Sequence, residues 1–136
     1  MPEKRTLKKA RAAKRAGKSP TTQAGEFVHE EIKHVREGKH GARSAKQAIA
    51  IGLSKARRAG IKLPPPPRTA KASTRRSAAS ATRAAKRHAR PSAKRSRAMR
   101  RKLQREPKNT VSTKALSRQA KSAARRRRRT GASARS

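Results

Sequence analysis

Residues 44–60, S-A-K-Q-A-I-A-I-G-L-S-K-A-R-R-A-G, carry the clearest helical punctuation in this chain. Ser44 can cap a first turn, and Gln47 stands three positions on, the spacing of a capping box. Gly60 reads as a left-handed residue just past the last turn, with Ile61 placed to fold back over it. Between these marks Ala45, Ala48, Ile49, Gly52, Leu53, Ala56 and Ala59 recur at helical spacing, which predicts a helix over 45–59. Its apolar face is made mostly of small residues, so a partner helix can approach closely. That approach makes Gly52 tolerable at the centre, although a mid-helix glycine loses about 1 kcal/mol of propensity.

The partner precedes it. Ser19 and Pro20 read as N-cap and first helical position, and Gly38 as a stop, framing a helix over 20–37. Ala24, Val28, Ile32 and Val35 form one stripe with Phe27 at its edge, whereas Glu26, Glu30, Lys33 and Glu37 fall on the opposite, solvent face. The short connection, Lys39 to Ser44, suits an αα-hairpin.

Outside the hairpin the composition changes. The chain has 136 residues with 42 Lys and Arg against six Glu and no Asp, a net charge of +36. The arm 1–18 carries +7, the middle 19–67 carries +5, and residues 68–136 carry +24. Leu, Ile, Val and Phe number 13, nine of them in the middle, and so small a share combined with such charge signals disorder elsewhere. The expected fold class is therefore mostly disordered and small all-α: a helical hairpin, about 20–37 and 45–59, with basic tails that become helical once a partner neutralises them. The expected organisation is a basic arm at 1–18, the hairpin at 19–63, a polyproline linker at 64–67 and a low-complexity Lys/Arg/Ala/Ser tail at 68–136. Pro64 to Pro67 read as a spacer between folded and unfolded material. Pro91 and Pro107 divide the tail, leaving inducible helices near 92–105, with Met99 and Leu103, and near 112–129, with Ala115, Leu116, Ala120 and Ala123.

Several chemistries are excluded by residue content. Without cysteine there is no disulfide or thiolate metal site. Without aspartate no Ser/His/Asp constellation can be assembled, and no enzyme is expected. His29, Glu30, Glu31 and His34 nearly spell a zincin helix, but the second imidazole belongs at position 33, which is Lys33. His40 and His88 offer no ligand spacing, so neither a metal nor a cofactor is expected. Gly38, Gly41, Ser44 and Lys46 are out of order for a phosphate loop. No apolar run reaches the roughly 18 residues of a membrane span, and Met1 to Lys18 lacks the apolar core of a secretory signal.

Six carboxylates cannot neutralise 42 cations, so a polyanion is the expected partner. The expected nucleic-acid contacts are Lys8, Lys9, Arg11, Lys14 and Arg15 in the arm, and Arg43, Lys46, Arg57 and Arg58 around the second helix. In the tail they are Arg75 and Arg76, then Arg100, Arg101 and Lys102, and the run Arg125, Arg126, Arg127, Arg128 and Arg129. The start of the second helix, beside Lys39, Arg43 and Lys46, is a docking point for one backbone phosphate. With Phe27 as the one Phe, Tyr or Trp, and on a core stripe, aromatic base stacking is not expected, although Arg can also stack, which points to duplex backbone contact, DNA over RNA, without sequence preference. Ile51 lies opposite the alanine stripe, where a protein contact or docking of the tail would explain a large apolar side chain, an isolated surface isoleucine being the commoner case; the hairpin is also the expected surface for self-association or a protein partner. The alternatives are an RNA- or ribosome-associated protein and a helical protein-interaction module with basic tails.

The segment from Lys33 to Gly60, with E-G-K-H-G at 37–41 and A-K-Q-A-I-A-I-G-L-S-K-A-R-R-A-G at 45–60, resembles the small bacterial and phage proteins of domain-of-unknown-function family 6496. His40 replaces a leucine of that pattern and Gly52 an alanine. The resemblance implies a bacterial or phage source and no catalytic residues. By composition alone the tail is similar to bacterial linker-histone-like proteins. The family name carries no activity, so the expectation of a cytoplasmic, nucleoid-associated, histone-like DNA-condensing protein rests on the charge.

Overall fold

The computed structural model describes residues 2–87, 90 and 92–135, with side chains described through 129. His88 and Pro91 lie outside the described residues. Six helices follow in order among the described residues: α1 Lys4–Arg15, α2 Pro20–Arg36, α3 Ala45–Arg58, α4 Ala72–Lys86, α5 Ala93–Gln104 and α6 Thr113–Arg135. No strand occurs among the described residues.

The hairpin forms for the reasons its sequence suggests. Ser19 Oγ accepts the Thr22 N–H at 3.3 Å with Pro20 opening α2, and Ser44 Oγ accepts the Gln47 N–H at 3.2 Å at the start of α3. At the far end of α3, Gly60 has φ 96, its N–H reaching the Arg57 carbonyl while the Ile61 N–H reaches the Ala56 carbonyl. Those are the paired bonds of a Schellman stop, and they fold Ile61 onto the core. The two helices cross at Gly52, where an added Cβ would stand 2.6 Å from Val28 Cα.

Two small cores flank that crossing. Phe27, Ala10, Ala24 and Ala56 form one, with Leu7, Leu53, Ile61 and Leu63 packed around it. Val35, Ala42, Ala48 and Val111 form the other, joined by Ile32 and Leu116. Both include residues from outside the hairpin.

The expectation of a mostly disordered chain is therefore wrong. The arm is α1, which packs on α2 through Thr6, Leu7 and Ala10; α4 packs on α3 around buried Ala81; α6 reaches α3. Nor do the prolines separate folded from unfolded chain, because they bend it so that α4 returns along α3. Counting only large aliphatics caused the error. Seven of the eleven buried apolar residues among those described are alanines, which are strong helix formers and let helix axes come close, so few large side chains are needed. The described cations of α4, α5 and α6 are exposed, so solvent weakens their repulsion without unfolding.

A clasp closes the molecule. Gly41 N–H donates to the Leu103 carbonyl at 2.7 Å and Ala42 N–H to the Pro107 carbonyl at 2.8 Å. Thr110 Oγ1 returns a bond to the Ala42 carbonyl at 2.8 Å, and Arg36 Nε donates to the Val111 carbonyl at 3.1 Å. A Cβ on Gly41 would fall inside the Glu106 carbonyl, so only glycine fits there.

Candidate nucleic-acid interface

All of the predicted cationic residues but Arg57 are exposed. On α1, Lys8, Lys9, Arg11, Lys14 and Arg15 are all exposed, and Lys8, Arg11 and Arg15 share one face at i, i+3, i+7. Arg58 on α3 and Arg75 and Arg76 on α4 are exposed as well. Arg100, Arg101 and Lys102 ride on α5, which packs on none of the other helices and is anchored at its end by buried Leu103. Met99, one turn before Leu103, is 54% exposed.

Arg125 to Arg129 are exposed on α6. A helix turns once in about 3.6 residues, so five consecutive arginines encircle it instead of facing one way. No single duplex can meet all five.

Arg57 behaves differently. Its guanidinium is half-buried and donates to the Pro64 carbonyl at 2.9 Å and the Leu63 carbonyl at 3.4 Å, pinning the chain as it leaves α3. Burial lowers its pKa from the ordinary arginine value.

The start of α3 forms an open polar groove. Arg43, Ser44 and Lys46 line one side; Asn109, Thr110, Arg118, Gln119 and Ser122 line the other. Gln47 Oε1 accepts the Arg43 N–H at 2.5 Å, which fixes the backbone beside the cap. Of the three cations expected here, Lys39 is turned away toward Glu37 at 3.5 Å and Glu3 at 3.8 Å. Arg118 takes its place, and nothing but its charge marked it in the sequence.

On the face that periodicity turns to solvent, Lys33 and Glu37 are exposed but Glu30 is not. Glu30 is 5% exposed because α1 covers it: its Oε1 accepts the Glu3 N–H at 2.6 Å and the Thr6 hydroxyl at 3.1 Å. Glu31 is fully buried and contacts Lys55 and His40. Glu3 reaches His34 at 2.9 Å, and that hydrogen bond, with the positive charges of His34, Lys39 and Lys33, holds its carboxyl below the usual glutamate range. His29 is exposed, as a solvated histidine should be, whereas His34 and His40 are half-buried in this acidic cluster. Ile51 is half-buried rather than exposed.

Residues 11–67 match the family of unknown function DUF6496. This stretch resembles that family. The match runs from the second half of α1 through the hairpin to the last proline, so the DUF6496-like part includes both helices of the crossing and excludes α4, α5 and α6. No curated protein and no solved structure matches the chain. Among the described residues no helix is long and apolar enough to cross a membrane.

Proposed function

We propose that this protein binds nucleic acid through phosphate contacts without sequence preference, duplex DNA ahead of RNA, and draws duplex segments together in the manner of a bacterial nucleoid protein. The observation that carries the reading is a net charge of +36 whose described cations are mostly exposed, with carboxylates too few to offset it. Phe27, the one aromatic, is fully buried, so base stacking on an aromatic ring is not available and the contact is with the backbone. The arginines that encircle α6 support bridging, since those on opposite sides face different duplexes. The groove at the start of α3, with Arg43, Lys46 and Arg118, supplies a defined seat for one phosphate.

Gel-shift titration of the full chain against duplexes of unrelated sequence tests this. With six to ten phosphates engaged, affinity falls on the order of 10³- to 10⁵-fold between 50 and 200 mM salt, equally for all duplexes. Replacing Arg125 to Arg129 with alanine weakens binding to every sequence alike and removes the bridging seen as fast-sedimenting complexes. Flat salt dependence refutes the proposal. Structured RNA displacing duplex DNA at equal concentration refutes the preference for DNA.

A further inference from the structure

We propose that Glu31, His34 and His40 form a binding site for a divalent transition metal of the zinc class. One donor atom from each residue lies within 4.8 Å of the others, a set of two imidazoles and one carboxylate. That donor set suits zinc and its neighbours, which take imidazole nitrogen and carboxylate oxygen.

Two features turn the cluster into a ligand site. The first is a buried acceptor without a donor. Glu31 is 0% exposed; Lys55 meets its Oε1, but its Oε2 has no hydrogen-bond partner. His40 Nε2 stands 3.3 Å from that orphan oxygen, and ligand atoms about 2.0–2.1 Å from a tetrahedral metal stand about 3.3 Å apart. The second is the tautomer. His40 Nδ1 lies 2.9 Å from the Gly41 carbonyl, which only accepts, so Nδ1 carries a proton, and it is Nε2 that in the neutral ring turns a lone pair to Glu31. Two lone pairs facing one another in a dry pocket repel, and a cation between them removes the conflict. Such a bond from the far ring nitrogen to a carbonyl is how metal-binding histidines are oriented. At His34 the Glu3 carboxylate meets Nε2 at 2.9 Å, so Nδ1 is the atom His34 has to offer the metal.

The surroundings agree. Glu30 Oε2, also buried and without a partner, belongs to an adjoining group with Glu3 that shares His34. Four of the six carboxylates in a +36 chain thus gather around one imidazole pair and its flanking lysines, and a cation held there must be coordinated, since the protein's overall field repels it. The metal would tie the connection between α2 and α3 to α2 itself, one residue from the Gly41 clasp.

The test uses the full chain, stripped with a chelator and titrated with Zn²⁺ by calorimetry and with Co²⁺ for its visible ligand-field bands. The expected result is one saturable equivalent and bands of four-coordinate intensity. His40→Leu and His34→Gln each weaken uptake on the order of 100-fold or more, and His29→Leu leaves it unchanged. Nitrogen-detected NMR of the wild-type chain covers the case in which a variant fails to fold: Zn²⁺ must shift the ring resonances of His34 and His40. Absence of saturable Zn²⁺ uptake, leaving Glu31 and a protonated His40 as a plain ion pair, overturns the proposal. So does a shift confined to other histidines.

Discussion

Replacing Gly52 with alanine separates helix propensity from helix packing, because Gly25 supplies a matched control. Both glycines lie within helices, and alanine at either gains about 1 kcal/mol of intrinsic propensity. At Gly25 a new Cβ meets nothing within 4 Å, so Gly25→Ala should stabilise the chain by about 0.5–1 kcal/mol. At Gly52 the new Cβ would stand 2.6 Å from Val28 Cα and 2.9 Å from Val28 N. Carbon atoms settle about 3.5–4.0 Å apart, so α2 and α3 must separate by about 1 Å along their crossing. The obstacle is backbone and cannot rotate away. Overpacking of that kind costs about 1–3 kcal/mol, which outweighs the propensity gain, and the net effect of Gly52→Ala is a loss of up to about 2 kcal/mol. Urea unfolding followed by circular dichroism at fixed salt measures both variants on one scale. Equal stabilisation by the two substitutions would refute the close crossing at Gly52.

Gly41→Ala should break the clasp: two backbone hydrogen bonds at about 1 kcal/mol each and part of the Val111 burial are lost, and cleavage after Glu106 by a glutamate-specific protease should accelerate. Arg57→Ala removes the guanidinium that holds the Leu63 and Pro64 carbonyls, so a loss of about 1–2 kcal/mol is expected in thermal unfolding, with little change in DNA affinity. Converting Arg43, Lys46 and Arg118 together to alanine should lower duplex affinity and reduce the slope of log affinity against log salt by up to about 3, read by fluorescence anisotropy. An unchanged slope would take the groove out of the interface.

The hairpin was legible because its signals are local. Ser19, Pro20, Ser44 and Gly60 act within a turn of themselves, and a 3.6-residue period reports a helix's own inner face. That period does not report which other element covers a flank. Glu30 therefore read as solvated, although α1 encloses it, and α1 itself was hidden because Thr6, Leu7 and Ala10 make a small inner face. His40 could not be paired with Glu31 from spacing, since the route of the loop depends on carbonyls from residues 103 and 107. The cationic residues were legible as charges but not as directions: Arg57 turns inward, Lys39 turns to carboxylates, and Arg118 arrives from a helix 70 residues beyond the groove it lines.

The bonds from Gly41 and Ala42 to Leu103 and Pro107 have a kinetic consequence. They join points about 60 residues apart, so the second core around Val35 and Val111 closes late in folding, after a large loop carrying many like charges has been drawn in. Added electrolyte weakens that self-repulsion and should quicken the closing step, while the same electrolyte loosens any grip on phosphate. A polyanion can take the electrolyte's part during maturation, acting as a template on which the last third of the molecule is brought home.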